Sequence, residues 1–211
     1  MRRAAGELRL PRGGRRCAEF AAAGRAVLNV QYRLAPVIDW LRPHPRRAGG
    51  DRFPAALDDV IAAVTTQGEP YALGGPSAGA CLAASAAILA TSNTPSSAGA
   101  ACTRVRHVPR ALPTVQPELR KGESGRHALG QFTPRAAQIM NDNYVGADAR
   151  FAPEGAFPGD APSLSNLPSI LLLDADRDVL RACGARFGDQ LREAWSTGRS
   201  VRGSREPSRL P

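Results

Sequence analysis

The residues best placed to do chemistry are Gly75-Pro76-Ser77-Ala78-Gly79, a Gly-x-Ser-x-Gly pentapeptide between a short apolar run and an alanine-rich segment. Glycines at both ends and the small Ala78 let a strand turn sharply into a helix, so that the serine hydroxyl stands clear of the sheet edge and open to attack. Such a pentapeptide is also an ordinary tight turn, so its surroundings must decide. Tyr71-Ala72-Leu73-Gly74 predicts a short strand before it, and Ala80 to Ala90 a helix of strong formers and small residues after it. Strand, turn and helix in that order are what a nucleophile elbow requires.

A serine hydroxyl is a weak nucleophile near neutral pH and needs a neighbour to take its proton. The three histidines are His44, His107 and His127. His44 sits between two prolines, while His107 and His127 lie in a weakly patterned stretch beyond the elbow helix. A solvated loop histidine is the ordinary reading of each. Serine triads recur in several chain orders, however, so position alone excludes none of them.

Three further blocks carry a resemblance. Val27 to Pro36 (VLNVQYRLAP), Arg52 to Val60 (RFPAALDDV) and the serine pentapeptide, in that order, resemble the hormone-sensitive-lipase-like branch of the α/β-hydrolase family. Asn141 to Gly146 (NDNYVG) and Leu167 to Arg181 (LPSILLLDADRDVLR) are similar to that family's approach to its catalytic acid. The resemblance covers roughly residues 17–195. It implies a three-layer parallel sheet flanked by helices, with Ser77 as nucleophile, the Ala78 amide in the oxyanion hole, Gly75 and Gly79 as elbow glycines, and Asp178 as the acid. Asp174 and Asp176 stand close by; Asp178 could also cap the helix that Val179-Leu180-Arg181 begins, but its place after a buried-looking strand and the resemblance favour the acid.

The chain departs from the family pattern at two places. No His-Gly-Gly-Gly run precedes the VLNVQYRLAP block; Gly13-Gly14, flanked by Arg12, Arg15 and Arg16, lies too close to Val27 for the intervening helix and reads as basic leader. One lost oxyanion donor typically costs about 2.7–4 kcal/mol of barrier lowering. The family's histidine follows its acid, and residues 179–211 contain none. On this reading the fold is shortened at both ends and the general base is unassigned.

With 211 residues the chain is long enough for one domain with a sizeable core. The expected organisation is a basic leader (1–16), a hydrolase-like domain (17–195) with a weakly patterned insert (91–130), and a basic tail (196–211). Of the net charge of +9, residues 1–52 carry +8 and residues 199–211 carry +3, leaving −2 on the body. Arginine supplies 27 of the 28 basic residues. Nucleic-acid binders more often mix in lysine and interleave aromatic residues for stacking, so solvated tails are the reading preferred to a nucleic-acid partner.

Cys17, Cys81, Cys102 and Cys183 form no Cys-x-x-Cys pair, and no histidine stands at metal-ligand spacing. No metal or cofactor is expected, and no long apolar run suggests a membrane span or a secretion signal. A cytoplasmic location follows as the default. The expected partner is a small ester substrate, and nothing in the sequence sets an oligomeric state.

The hydropathy pattern predicts helices over 17–23, 54–65, 80–90, 132–143 and 182–194. It predicts buried strands over 26–31 and 169–174, a strand near 101–108 broken by Arg104 and Arg106, and a proline-rich loop over 145–167. Alternating strands and helices imply a parallel sheet covered on both faces. The expectation is a carboxylic ester hydrolase acting through an acyl-enzyme. Its rivals are a non-catalytic remnant of that fold and an arginine-rich nucleic-acid binder.

Overall fold

The computed structural model describes residues 12–36, 51–67, 71–93, 101–105, 134–146, 155–174 and 181–198. They divide into two units, residues 1–32 and 33–211.

In the first unit, helix α1 (Arg12–Ala22) begins five residues before the predicted Cys17. It ends in a Schellman motif: the amide of Arg25 donates to the carbonyl of Phe20, and that of Gly24 to Ala21. Gly24 sits at φ +76°, the left-handed conformation this cap demands. Residues 25–32 then run without regular structure, and Val27 and Leu28 are 40% and 55% exposed. The buried strand predicted over 26–31 is therefore not formed. Its apolar, β-branched residues favour a strand only where a neighbouring strand completes the ladder, and none pairs with it among the described residues.

In the second unit, Pro54 precedes helix α2 (Ala55–Thr65), its carbonyl accepting the amides of Leu57 and Asp58. Pro54 thus ends up outside the helix that was predicted to start on it, as suits a residue with no amide to give. Ala56, Leu57 and Val60 form the buried stripe of α2, which packs on α3 (Ala78–Asn93). Helix α3 has no polar face along its middle: Ala80, Leu82 to Ala84 and Ala86 to Ile88 are all buried. Alanine suits a helix enclosed in this way, because small side chains let neighbouring elements approach closely.

The sheet is β1 (Pro76–Ser77), β2 (Ala101–Val105) and β3 (Ile170–Leu172), in that order and parallel throughout. The register pairs Ser77 with Val105 and Thr103 with Leu172. Two predictions are corrected. Tyr71 to Gly75 is irregular and strand pairing begins only at Pro76, while β2 runs through Arg104, where a break was expected. Arg104 pairs with Pro76 of β1, and a partner strand can override a residue's poor local strand preference.

Helix α4 (Pro134–Val145) follows, then a buried turn, Gly155 to Pro158, that enters a 3-10 segment at Pro158–Asp160. The last element is α5 (Arg181–Gly198), with Cys183, Phe187 and Leu191 buried at four-residue intervals. Phe187 and Leu191 meet Ala84, Ala87 and Ile88 of α3 and Leu164 and Leu167 of the preceding loop in the main core, against which Ile170 and Leu172 pack. On the other side Leu171, and Leu173 just beyond β3, are 51% and 46% exposed, so among the described residues the strand predicted as buried is covered on one face only.

Within this unit, residues from three of the sequence blocks meet. Arg33 bonds Asp59; Asn143 donates to the carbonyl of Pro36; Arg52 donates to the carbonyl of Asn143; and the amide of Phe53 donates to Tyr144. The Tyr144 ring stands edge-on between those of Phe53 and Phe157, with centroids 5.8 and 6.2 Å away.

Candidate active site

Ser77 is the last residue of β1, and Ala78 is already the first of α3. No loop intervenes. The reversal is concentrated in Ser77, whose φ of +55° makes it the one non-glycine residue with positive φ among the described residues. A side chain in the left-handed region costs on the order of 1–3 kcal/mol and persists only where the surroundings impose it. A serine that merely capped α3 would sit in the extended region. Capping therefore does not account for this backbone, and the side chain is exposed.

The two glycines contribute unequally. A Cβ on Gly75 would fall 2.7 Å from the carbonyl carbon and 2.9 Å from the carbonyl oxygen of Gly79, inside any tolerable contact with backbone. At Gly79 a Cβ would meet only Pro76 Cδ at 3.7 Å, an ordinary contact. Thus Gly75 admits the close approach of strand and helix, while Gly79 supplies the backbone that approaches it.

The first amides of α3, Ala78 among them, lie where a helix has no internal acceptors and where its dipole favours negative charge. An anion forming on a carbonyl attacked by Ser77 would find donors there.

Asp178, Asp176, His44, His107 and His127 lie outside the described residues. Asp174 lies inside them, two residues beyond β3, with its carboxylate against Gly184 of α5. Neither the Asp174–Gly184 contact nor the Arg33–Asp59 pair was anticipated from sequence, because a partner across a sheet or between distant blocks leaves no local spacing signal. Among the described residues no three His, Cys, Asp or Glu side chains are grouped to hold a metal, and no helix is long and apolar enough to cross a membrane.

Comparison with known proteins agrees with this architecture. The profile of the α/β hydrolase fold family matches residues 6–207, and the chain belongs to that family, in its hormone-sensitive-lipase-like branch. Among solved structures, the chain resembles the crystal structure of DphMB1 at 22% identity and a TM-score of 0.53. It resembles an arylesterase structure at 23% identity and a TM-score of 0.51. Each match covers 68% of this chain and 49% of the other, so the chain spans about half the length of these neighbours. No curated protein sequence matches it.

Proposed function

We propose that the chain is a serine hydrolase of small carboxylic esters, and the observation that carries the reading is the left-handed, exposed Ser77 at a strand-to-helix junction with no loop. The Ser77 hydroxyl attacks the acyl carbon and passes its proton to a base. The tetrahedral oxyanion is held by the Ala78 amide and collapses, expelling the alcohol, which takes up the proton. Water then attacks the acyl-enzyme in the same way and releases the acid. Asp178 orients the base, and no cofactor or metal enters these steps. We place the catalytic domain at residues 17–195, between a basic leader and a basic tail, and the protein in the cytoplasm.

The register lends support to His107 as that base. Ser77 pairs with Val105, and His107 follows Val105 by two residues, a span of at most about 7 Å of chain.

A fluorophosphonate probe tests the reading. Folded protein should be labelled at Ser77, and Ser77→Ala should abolish both labelling and turnover of p-nitrophenyl acetate. His107→Ala should depress labelling as strongly, with His44→Ala and His127→Ala unaffected. Failure to label folded wild-type protein rejects the enzyme. It would leave a non-catalytic member of the fold, the reading favoured by the exposed Leu171 and Leu173 face of β3.

A further inference from the structure

Helix α1 divides lengthwise by charge. Its charged positions, Arg12, Arg15, Arg16 and Glu19, stand three and four residues apart and so share one face, while Gly13, Cys17, Phe20 and Ala21 share another. A helix of a globular core buries its uncharged face. Here every residue from 18 to 29 is exposed, Phe20 at 57%. The turn at Gly24 leads the chain straight on to Val27 and Leu28, so three apolar side chains lie open within one short stretch.

Charge decides what fits this stretch. Residues 12–32 hold four arginines (Arg12, Arg15, Arg16 and Arg25) against one acid, Glu19, a net charge of +3. The complementary partner is anionic and offers apolar depth beside its charge. A nucleic acid supplies phosphates but stacks its bases on aromatic rings, and it gives the aliphatic Val27 and Leu28 no place. The surface of an anionic bilayer supplies both requirements. Its headgroups attract the arginines, and the boundary of its acyl chains, about 5–10 Å deep, accepts Phe20 and the two aliphatic side chains. A helix of low overall hydrophobicity, with its charges on one face and a phenylalanine on another, lies in that plane rather than crossing it.

We propose that α1 and the stretch after it, residues 12–28, form a reversible anchor on anionic lipid surfaces, with Phe20, Val27 and Leu28 inserted and the arginines among the headgroups. The cytoplasmic leaflet of a membrane carries such lipid. This role does not depend on the reading of Ser77 as nucleophile.

The test sediments the full chain with vesicles of equal parts phosphatidylserine and phosphatidylcholine, and with vesicles of phosphatidylcholine alone. Wild type should sediment with the anionic vesicles only. Raising sodium chloride from about 0.1 to about 1 M, which shortens the screening length from about 10 to about 3 Å, should release it. Phe20→Ala should weaken binding roughly tenfold, and the double variant Arg15→Gln, Arg16→Gln by at least about tenfold. Both should melt as wild type does, because none of these positions belongs to the main core. Phe20→Trp should keep the affinity and gain tryptophan emission that brominated acyl chains quench.

Equal sedimentation with both kinds of vesicle, sedimentation with neither, or a Phe20→Ala protein that binds as tightly as wild type overturns the proposal. Tighter binding to single-stranded DNA or to polyglutamate than to anionic vesicles at equal salt overturns it too, in favour of a nucleic-acid or an acidic protein partner.

Discussion

Arg33 grips Asp59 across 26 residues of chain: its Nε lies 3.1 and 3.0 Å from Oδ1 and Oδ2, its Nη2 lies 3.0 Å from Oδ1, and its backbone amide donates to Oδ2 at 2.8 Å. Nη2 also donates to the carbonyl of Ala55, the first residue of α2. One side chain thereby fastens the start of the second unit to the helix that packs on α3.

The pair sets an acid limit on stability. Hydrogen bonds from the Arg33 side chain, then from its amide, hold the Asp59 carboxyl below the usual carboxylate range, and the guanidinium is raised in turn, chiefly by its bond to Asp59. A depressed carboxyl contributes stability that is present above its unfolded value, about 3.9, and lost as pH falls through the lower folded value. The difference in melting temperature between wild type and Asp59→Asn should be constant near neutrality and shrink towards zero below about pH 4. Because both side chains reach solvent, added salt should also reduce it. A difference that survives at low pH would contradict the assignment.

The unequal glycines give a second expectation. Gly75→Ala drives a methyl into the Gly79 backbone and should lose Ser77 labelling along with several degrees of melting temperature. Gly79→Ala meets only an ordinary contact within a helix, where alanine is worth up to about 1 kcal/mol more than glycine. It should therefore melt at or above the wild-type temperature. Equal damage from both substitutions would show that the elbow is not held by the 75–79 approach.

Ser85 is 1% exposed in the middle of α3, and its hydroxyl has no hydrogen-bond partner among the described residues. An unsatisfied buried hydroxyl costs about 1–3 kcal/mol, whereas alanine removes that group and is the better helix former. Ser85→Ala should therefore raise stability by about 1 kcal/mol, or roughly 2–4 °C for a chain of this size. A calorimetric scan that shows a lower melting temperature would mean that the hydroxyl is in use.

Cys81 stands four residues beyond Ser77 on α3, near the carbonyl of Ala156. Although part of the residue reaches the surface, burial pushes its thiol up to about 12, with the charge of Asp160 adding to the effect. Because the thiolate is the reactive form, iodoacetamide at about pH 8 should pass over Cys81 in the folded protein and modify it only after denaturation. Modification of the native protein at Cys81 that matched the rate of an unfolded control would refute this.

Local pattern alone was enough for much of this protein. The alanine run fixed α3, the Pro54 boundary fixed the start of α2, and glycine-serine chemistry marked the junction at residue 77, because helix preference, proline's missing amide and glycine's missing Cβ act within a few residues. The three blocks also identified the family. Tertiary structure decided what depends on distant partners. Residues 26–31 carry strand-like residues yet find no strand partner among the described residues, β2 continues through Arg104 because that residue pairs with Pro76 of β1, and Leu171 and Leu173 stay exposed while Ile170 and Leu172 pack on the core. Likewise, the positive φ of Ser77, the need for glycine at 75 rather than 79, and the seating of Asp174 on Gly184 arise where two backbones meet. No spacing within a single segment encodes such a meeting, since it is set by how closely the packed elements approach.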